Sequence, residues 1–175
     1  MRLWLQQLNE IEAPICLAWS HALRPERGRR IFAIVSRLGD GIFWYSLIAA
    51  MPLADGWNGA CAGLHMLLTG AVVLTVYKTL KRTTRRERPC HCVTQVTAAV
   101  QPLDQYSFPS GHTLHAVSFS VVALNYYPRL AWVLVPFTLL VASSRVVLGL
   151  HYPSDVLAAA GIGLALAYTG ILLVS

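Results

Sequence analysis

The chain has 175 residues, 55% of them hydrophobic and 13% charged, with a mean hydropathy of +0.53. Soluble domains carry an apolar share of about 45–50%, so this composition excludes an ordinary water-soluble protein and points to a membrane protein. The net charge is +6, and most of the basic charge is packed into two places, residues 24–30 and 78–88; beside hydrophobic spans such clusters favour lipid phosphate or an anionic membrane surface over nucleic acid as partner.

Residues 3–21 place Leu3, Leu5, Leu8, Ile11, Ile15 and Leu17 among Gln6, Gln7, Asn9, Glu10 and Glu12. This polarity predicts an amphipathic helix on the membrane surface in preference to a crossing. The first residues lack the charged start and long apolar core of a cleavable signal, so insertion falls to the spans themselves. Arg24-Pro25 breaks the helix and opens a basic linker to residue 30.

Residues 31–53 are long enough to cross a hydrocarbon core, which needs about 20 residues. Arg37 and Asp40 lie three apart on one face, as a structural ion pair or, alternatively, as support for a site. Residues 55–59 turn the chain and 59–77 return it, with His65 and Met66 expected in packed core. The polar segment 78–89 ends on Pro89, which stops any helix, and 90–108 reads as a loop. Cys16, Cys61, Cys90 and Cys92 have no metal-ligand spacing, and no disulfide is assigned to the close pair Cys90 and Cys92. Further spans are expected at 111–127, 130–150 and 156–174. The fold class is thus all-α: a single polytopic membrane bundle of five to six helices, five of them spans within residues 31–175 and the sixth an N-terminal helix, amphipathic or spanning, followed by a basic linker within 1–30.

Because spans alternate direction, the end of the second, the start of the third, the end of the fourth and the start of the fifth share one membrane face. Three polar clusters distant in sequence therefore converge: 81–88, 109–112 and 145–155. Lys81, Arg88 and Arg145 supply three cations suited to phosphate oxygens. Ser110 and Gly111 open a helix, where free backbone N–H groups and the helix dipole favour an anion. Asp155 follows His151 by four residues, and in a helical turn its carboxylate can accept a hydrogen bond from the imidazole. That arrangement assigns nucleophilic attack on phosphorus to His151, its orientation to Asp155 and protonation of the departing oxygen to His112. His115 has no such support and is left as core or cavity lining.

At these residues the sequence resembles the type 2 phosphatidic acid phosphatase superfamily, which also includes acid phosphatases and vanadium haloperoxidases. The family pattern stands here as Lys81-x6-Arg88-Pro89, then Pro109-Ser110-Gly111-His112, then Ser144-Arg145-x5-His151-x3-Asp155. The resemblance implies metal-independent hydrolysis of a phosphomonoester or diphosphate without a cofactor. It further implies a phosphohistidine on His151, His112 as acid, and phosphate held by Lys81, Arg88, Ser110, Gly111 and Arg145. Only Asp104 and Asp155 are expected as carboxylates near the site.

A site at headgroup level implies a lipid substrate, with undecaprenyl diphosphate ranked ahead of phosphatidylglycerol phosphate, phosphatidic acid and the phosphates of lipid A. A phosphotransferase would carry the same motifs. The reading from another class is a phosphate-lipid binding or translocating protein without turnover, which needs the cations but not His112, His151 and Asp155. The expected location is a bacterial inner membrane; related bacterial lipid phosphatases mostly face the extracytoplasmic side, the positive-inside rule argues for the cytoplasmic one, and the resemblance is preferred because phosphate binding accounts for much of the charge.

Overall fold

The computed structural model describes residues 2–22, 26–93, 96, 98, 100–102 and 104–174. Arg24 and Pro25, the expected helix break, lie outside them. The described residues form helices and connecting loops with no strand: α1 (Arg2–Ala22), α2 (Glu26–Arg37), a π-turn (Leu38–Ile42), α3 (Phe43–Thr84), α4 (Pro89–Cys92), α5 (Gly111–Tyr126), a 3-10 turn (Pro128–Leu130), α6 (Ala131–Val147) and α7 (Pro153–Val174).

α3 is two antiparallel arms and not one rod. Asp55 and Gly56 leave helical geometry, and Gly56 takes φ +50°, which glycine adopts without steric cost. Past this reversal the arms pack so closely that a Cβ on Gly59 would fall 2.0 Å from the Met51 carbonyl oxygen. Among the described residues, three stretches are long and apolar enough to cross a membrane, namely Arg27–Cys92, Pro128–Val147 and Pro153–Val174. The first contains the reversal and so supplies two arms.

α5, only 16 residues long, is the helix around which the others assemble. It packs against α7, α3 and α6 and buries Leu114, Ala116, Phe119, Val122 and Ala123. Gly163 of α7 lets the backbones meet: a Cβ there would sit 2.9 Å from the Leu114 carbonyl oxygen, and the Ser118 hydroxyl donates to the Gly163 carbonyl at 3.1 Å. Small residues replace hydrophobic drive where lipid is as apolar as the core. Trp44, Met66, Phe119 and Leu134 fill the core, and His65 is buried with its Nδ1 3.1 Å from the Tyr126 hydroxyl.

The outer surface is apolar. Leu53, Trp57, Trp132, Leu157, Leu172 and Leu173 are each more than 70% exposed, as suits a lipid-facing belt. The two ends differ in kind. At one end Tyr127 donates to Asp55 at 2.9 Å and ties the α5–α6 turn to the reversal of α3. The other end collects the close of α3, the start of α5, the close of α6 and the start of α7, as the alternation of spans requires.

One sequence expectation needs correction. The helix through the polar segment does not stop at Pro89; it ends at Thr84, with Arg85 in the left-handed region (φ +48°), and Pro89 opens the short α4. α1 buries the face that carries Glu12 and Cys16, where it packs against α6, α4 and α7.

Candidate active site

Four segments meet at the polar end. The 148–152 loop carries His151: Gly149 at φ +70° reverses the chain, and the backbone N–H groups of Leu150 and His151 donate to the Arg145 carbonyl at 3.1 and 3.0 Å. α6 therefore fixes the His151 backbone through the residue whose side chain also reaches the site. Pro153, at the first position of α7, sets the next turn.

The His151 side chain is 1% exposed. Its Nε2 lies 3.2 Å from Arg88 Nη1. Guanidinium nitrogens only donate, so this contact assigns the lone pair to Nε2 and the proton to Nδ1. Burial first, and then the charges of Arg88, Arg145 and Lys81, hold the imidazole pKa well below its usual range. The ring is neutral at physiological pH, with its nucleophilic nitrogen facing the cations.

Those cations are locked in place. Arg88 is 1% exposed and donates to the Leu150 carbonyl at 2.6 Å, the Asp104 carbonyl at 3.0 Å and Asp104 Oδ1 at 2.7 Å. Lys81 pairs with the same Asp104 oxygen and donates to the Tyr106 carbonyl at 2.7 Å, while Tyr77 donates to Asp104 Oδ2. Burial raises the Asp104 pKa, but hydrogen bonds from Lys81 and Tyr77 and the charges of Lys81 and Arg88 outweigh it and hold the group down to about 2. Arg145 is 3% exposed; it donates to the Ser36 hydroxyl, and its Nε is buried without a partner.

Ser110 stands at the N-terminal boundary of α5 without capping it through its side chain; its hydroxyl lies 3.0 Å from that of Thr113 and its N–H donates to the Asp155 carbonyl at 3.3 Å. Gly111 has a second reason to be glycine, since a Cβ would lie 2.6 Å from the Tyr77 ring. His112, in the first turn, pairs through Nε2 with Asp40 of the π-turn.

The structure thus brings together Lys81, Arg88, Ser110, Gly111, His112, Arg145, His151 and Asp155. It departs from expectation in two respects. Asp155 does not hydrogen-bond His151: Oδ2 stands 3.7 Å from Nδ1 and instead accepts the Tyr152 N–H at 2.9 Å, while Oδ1 accepts from Arg86 at 2.6 Å. Of the two readings of Arg37 and Asp40, the contacts favour support for the site: Asp40, in the π-turn, pairs with His112, and no ion pair between Asp40 and Arg37 is found among the described residues. The carboxylates near the site also include Asp40 and Glu12. Sequence reasoning missed Arg86, Glu12 and Tyr77 entirely; Arg86 stands in a run with Arg82, Arg85 and Arg88, where nothing marks which arginine turns inward.

Two cavities flank His112. One, of about 260 Å³, is lined by Trp44, Tyr45, Leu74, Phe119, His115 and His112 among others; the second, of about 190 Å³, is polar and lined by Ser36, Arg37, Asp40, Gln101, His112 and Arg145. Arg88, Arg145 and Lys81 all act electrostatically on the His151 imidazole, and such a group of cations can gather an oxyanion.

Fold and site together define a class: a polytopic helical membrane protein with cations converged on a buried imidazole at one end. A family model described as the PAP2 superfamily matches residues 58–175, and the chain belongs to that superfamily. It is similar to the decaprenylphosphoryl-5-phosphoribose phosphatase of Mycolicibacterium smegmatis, 34% identical over 120 residues that are 65% of this chain and 60% of that protein. It is also similar to the undecaprenyl-diphosphatase of Sulfolobus acidocaldarius, 26% identical over 129 residues, 73% of this chain and 62% of that one. The chain thus matches about three-fifths of the length of these relatives. Among solved structures, the transmembrane PAP2 type phosphatidylglycerolphosphate phosphatase of Bacillus subtilis superposes with a TM-score of 0.74 at 25% identity, covering 98% of this chain and 94% of that one.

Proposed function

We propose that the protein is a membrane lipid phosphatase that works through a phosphohistidine on His151. The observation that carries this is the contact of Arg88 with His151 Nε2, which leaves a neutral imidazole with its lone pair directed at the phosphate-binding cations. Nε2 bonds to phosphorus as the bond from phosphorus to the lipid oxygen breaks, and His112 gives that oxygen a proton. Water then attacks the phosphohistidine, returns a proton to His112 and releases inorganic phosphate. Lys81, Arg88, Arg145 and the N–H groups at the start of α5 hold the three equatorial oxygens, so protein cations supply the charge that a metal ion provides in other phosphoryl-transfer sites. Chelation should therefore leave the rate intact.

The apolar cavity against His112 supports a lipid leaving group, since the proton donor and a place for the first part of a tail lie side by side. Undecaprenyl diphosphate is the preferred substrate, in keeping with the diphosphatase among the relatives; phosphatidylglycerophosphate, phosphatidic acid and lipid A phosphates follow. The chain sits in the inner membrane with the site facing outward. Cys92 is exposed near this end and reports the side by labelling in intact cells.

The test is phosphate release by purified protein from this panel of lipids, with His151→Ala beside it. Loss of release with retained lipid binding is expected. Equal release from the variant overturns the mechanism, and release from none of the lipids by the unmodified protein favours a binding or translocating role.

A further inference from the structure

We propose that Arg86 and Glu12 are positioning residues of this site, acting through Asp155, and that α1 is thereby part of the active centre. The proposal rests on the phosphohistidine reading above. Arg86 is 3% exposed and Glu12 6%, so neither is a solvated surface charge. The guanidinium spends its donors on four partners: Asp155 Oδ1 at 2.6 Å, the Ser154 hydroxyl at 2.7 Å, Glu12 Oε2 at 2.7 Å and Asn9 Oδ1 at 2.9 Å. Its plane also lies over the Tyr152 ring, 4.1 Å from the centroid.

Glu12 completes the frame from the other side. Its Oε1 accepts the Ser154 N–H at 2.7 Å and its Oε2 the Ser154 hydroxyl at 2.6 Å, so a carboxylate from α1 satisfies a backbone donor in the first turn of α7. Every residue from 152 to 155 except Pro153 is held by this frame. His151 precedes it directly, and its Nδ1, buried without a hydrogen-bond partner, faces Asp155 Oδ2 at 3.7 Å. As Nε2 takes up a phosphoryl group the ring becomes cationic, and Asp155 is the carboxylate aimed at Nδ1–H. Arg86 and Glu12 set where that carboxylate stands. A bare packing role would give the same burial but no dependence of turnover on Asp155.

The measurement is kcat and KM of the full chain in detergent on a lipid diphosphate, for Arg86→Gln, Asp155→Asn and their combination. Misplacing a catalytic group by about 1 Å costs on the order of 100-fold. Arg86→Gln should lower kcat by about that factor with KM within about threefold, because Lys81, Arg88 and Arg145 are untouched. The combined variant should be no slower than Asp155→Asn alone. Losses that multiply, or a KM effect without a kcat effect, overturn the proposal. Because Arg86→Gln strips the partner from buried carboxylates and can unfold the protein, Glu12→Gln serves as a second variant. It keeps the Arg86 bridge to Asp155 and should lower kcat about tenfold, again without adding to Asp155→Asn; an unchanged kcat sinks the role of α1. His151→Ala in the same series separates the two failures, since full activity there removes the phosphohistidine reading itself.

Discussion

A histidine can serve as nucleophile only while one ring nitrogen keeps its lone pair, and at His151 burial and neighbouring cations serve that end. Both disfavour the imidazolium, so the folded-state pKa lies well below the unfolded value of about 6.5. The sign follows from linkage: the unfolded chain binds the proton first, so the stability held by neutral His151 is present above about pH 6.5 and is lost as pH falls toward the folded-state value. The imidazole resonance absent from His151→Ala should remain that of a neutral ring at pH 6; titration at the ordinary value would contradict this electrostatic picture. Asp104 is the other residue whose charge state matters. Its carboxylate occupies Lys81 and Arg88, the cations proposed to receive phosphate, so in that proposal the substrate competes with it. Asp104→Asn should tighten inhibition by inorganic phosphate about tenfold, equivalent to about 1.4 kcal/mol, and an unchanged inhibition constant would mean that the carboxylate does not compete.

At the scale of elements, the site depends on how closely α5 approaches its neighbours, because α5 carries Ser110, Gly111 and His112. Gly163→Ala puts a methyl group 2.9 Å from a backbone oxygen, which cannot step aside as a flexible side chain would. The expected cost is about 1–3 kcal/mol, read as a lower unfolding temperature in detergent, with little change in KM. A thermally unaltered variant would show that the contact between α5 and α7 tolerates separation. The spans themselves were legible in the sequence, because apolar runs and turn residues such as Asp55-Gly56 and Tyr127-Pro128 report directly on chain direction. What was not legible depends on local departures from regular geometry. The π-turn carries Asp40 to His112, and the 148–152 loop leaves Asp155 3.7 Å from His151.

For the whole molecule, alternation of spans was enough to bring Lys81, Arg88, His112, Arg145 and His151 to one end, since it needs only the count and direction of crossings. The third dimension of α1 was out of reach. Nothing in residues 3–21 says that Glu12 faces inward to Ser154 and Arg86, because an acidic residue on a polar helix reads as solvated. The region shared with the PAP2 superfamily begins at residue 58, so α1 and the π-turn lie outside the matched residues while Glu12 and Asp40 contact those within. The central claim is that the phosphoryl group passes through Nε2 of His151. Rapid quenching of the protein with a lipid diphosphate labelled in its terminal phosphate tests it most directly. The label should appear on the protein within the first turnover, map to His151, resist base and be lost in acid. Label absent from the unmodified protein during turnover, or still carried by His151→Ala, would contradict it.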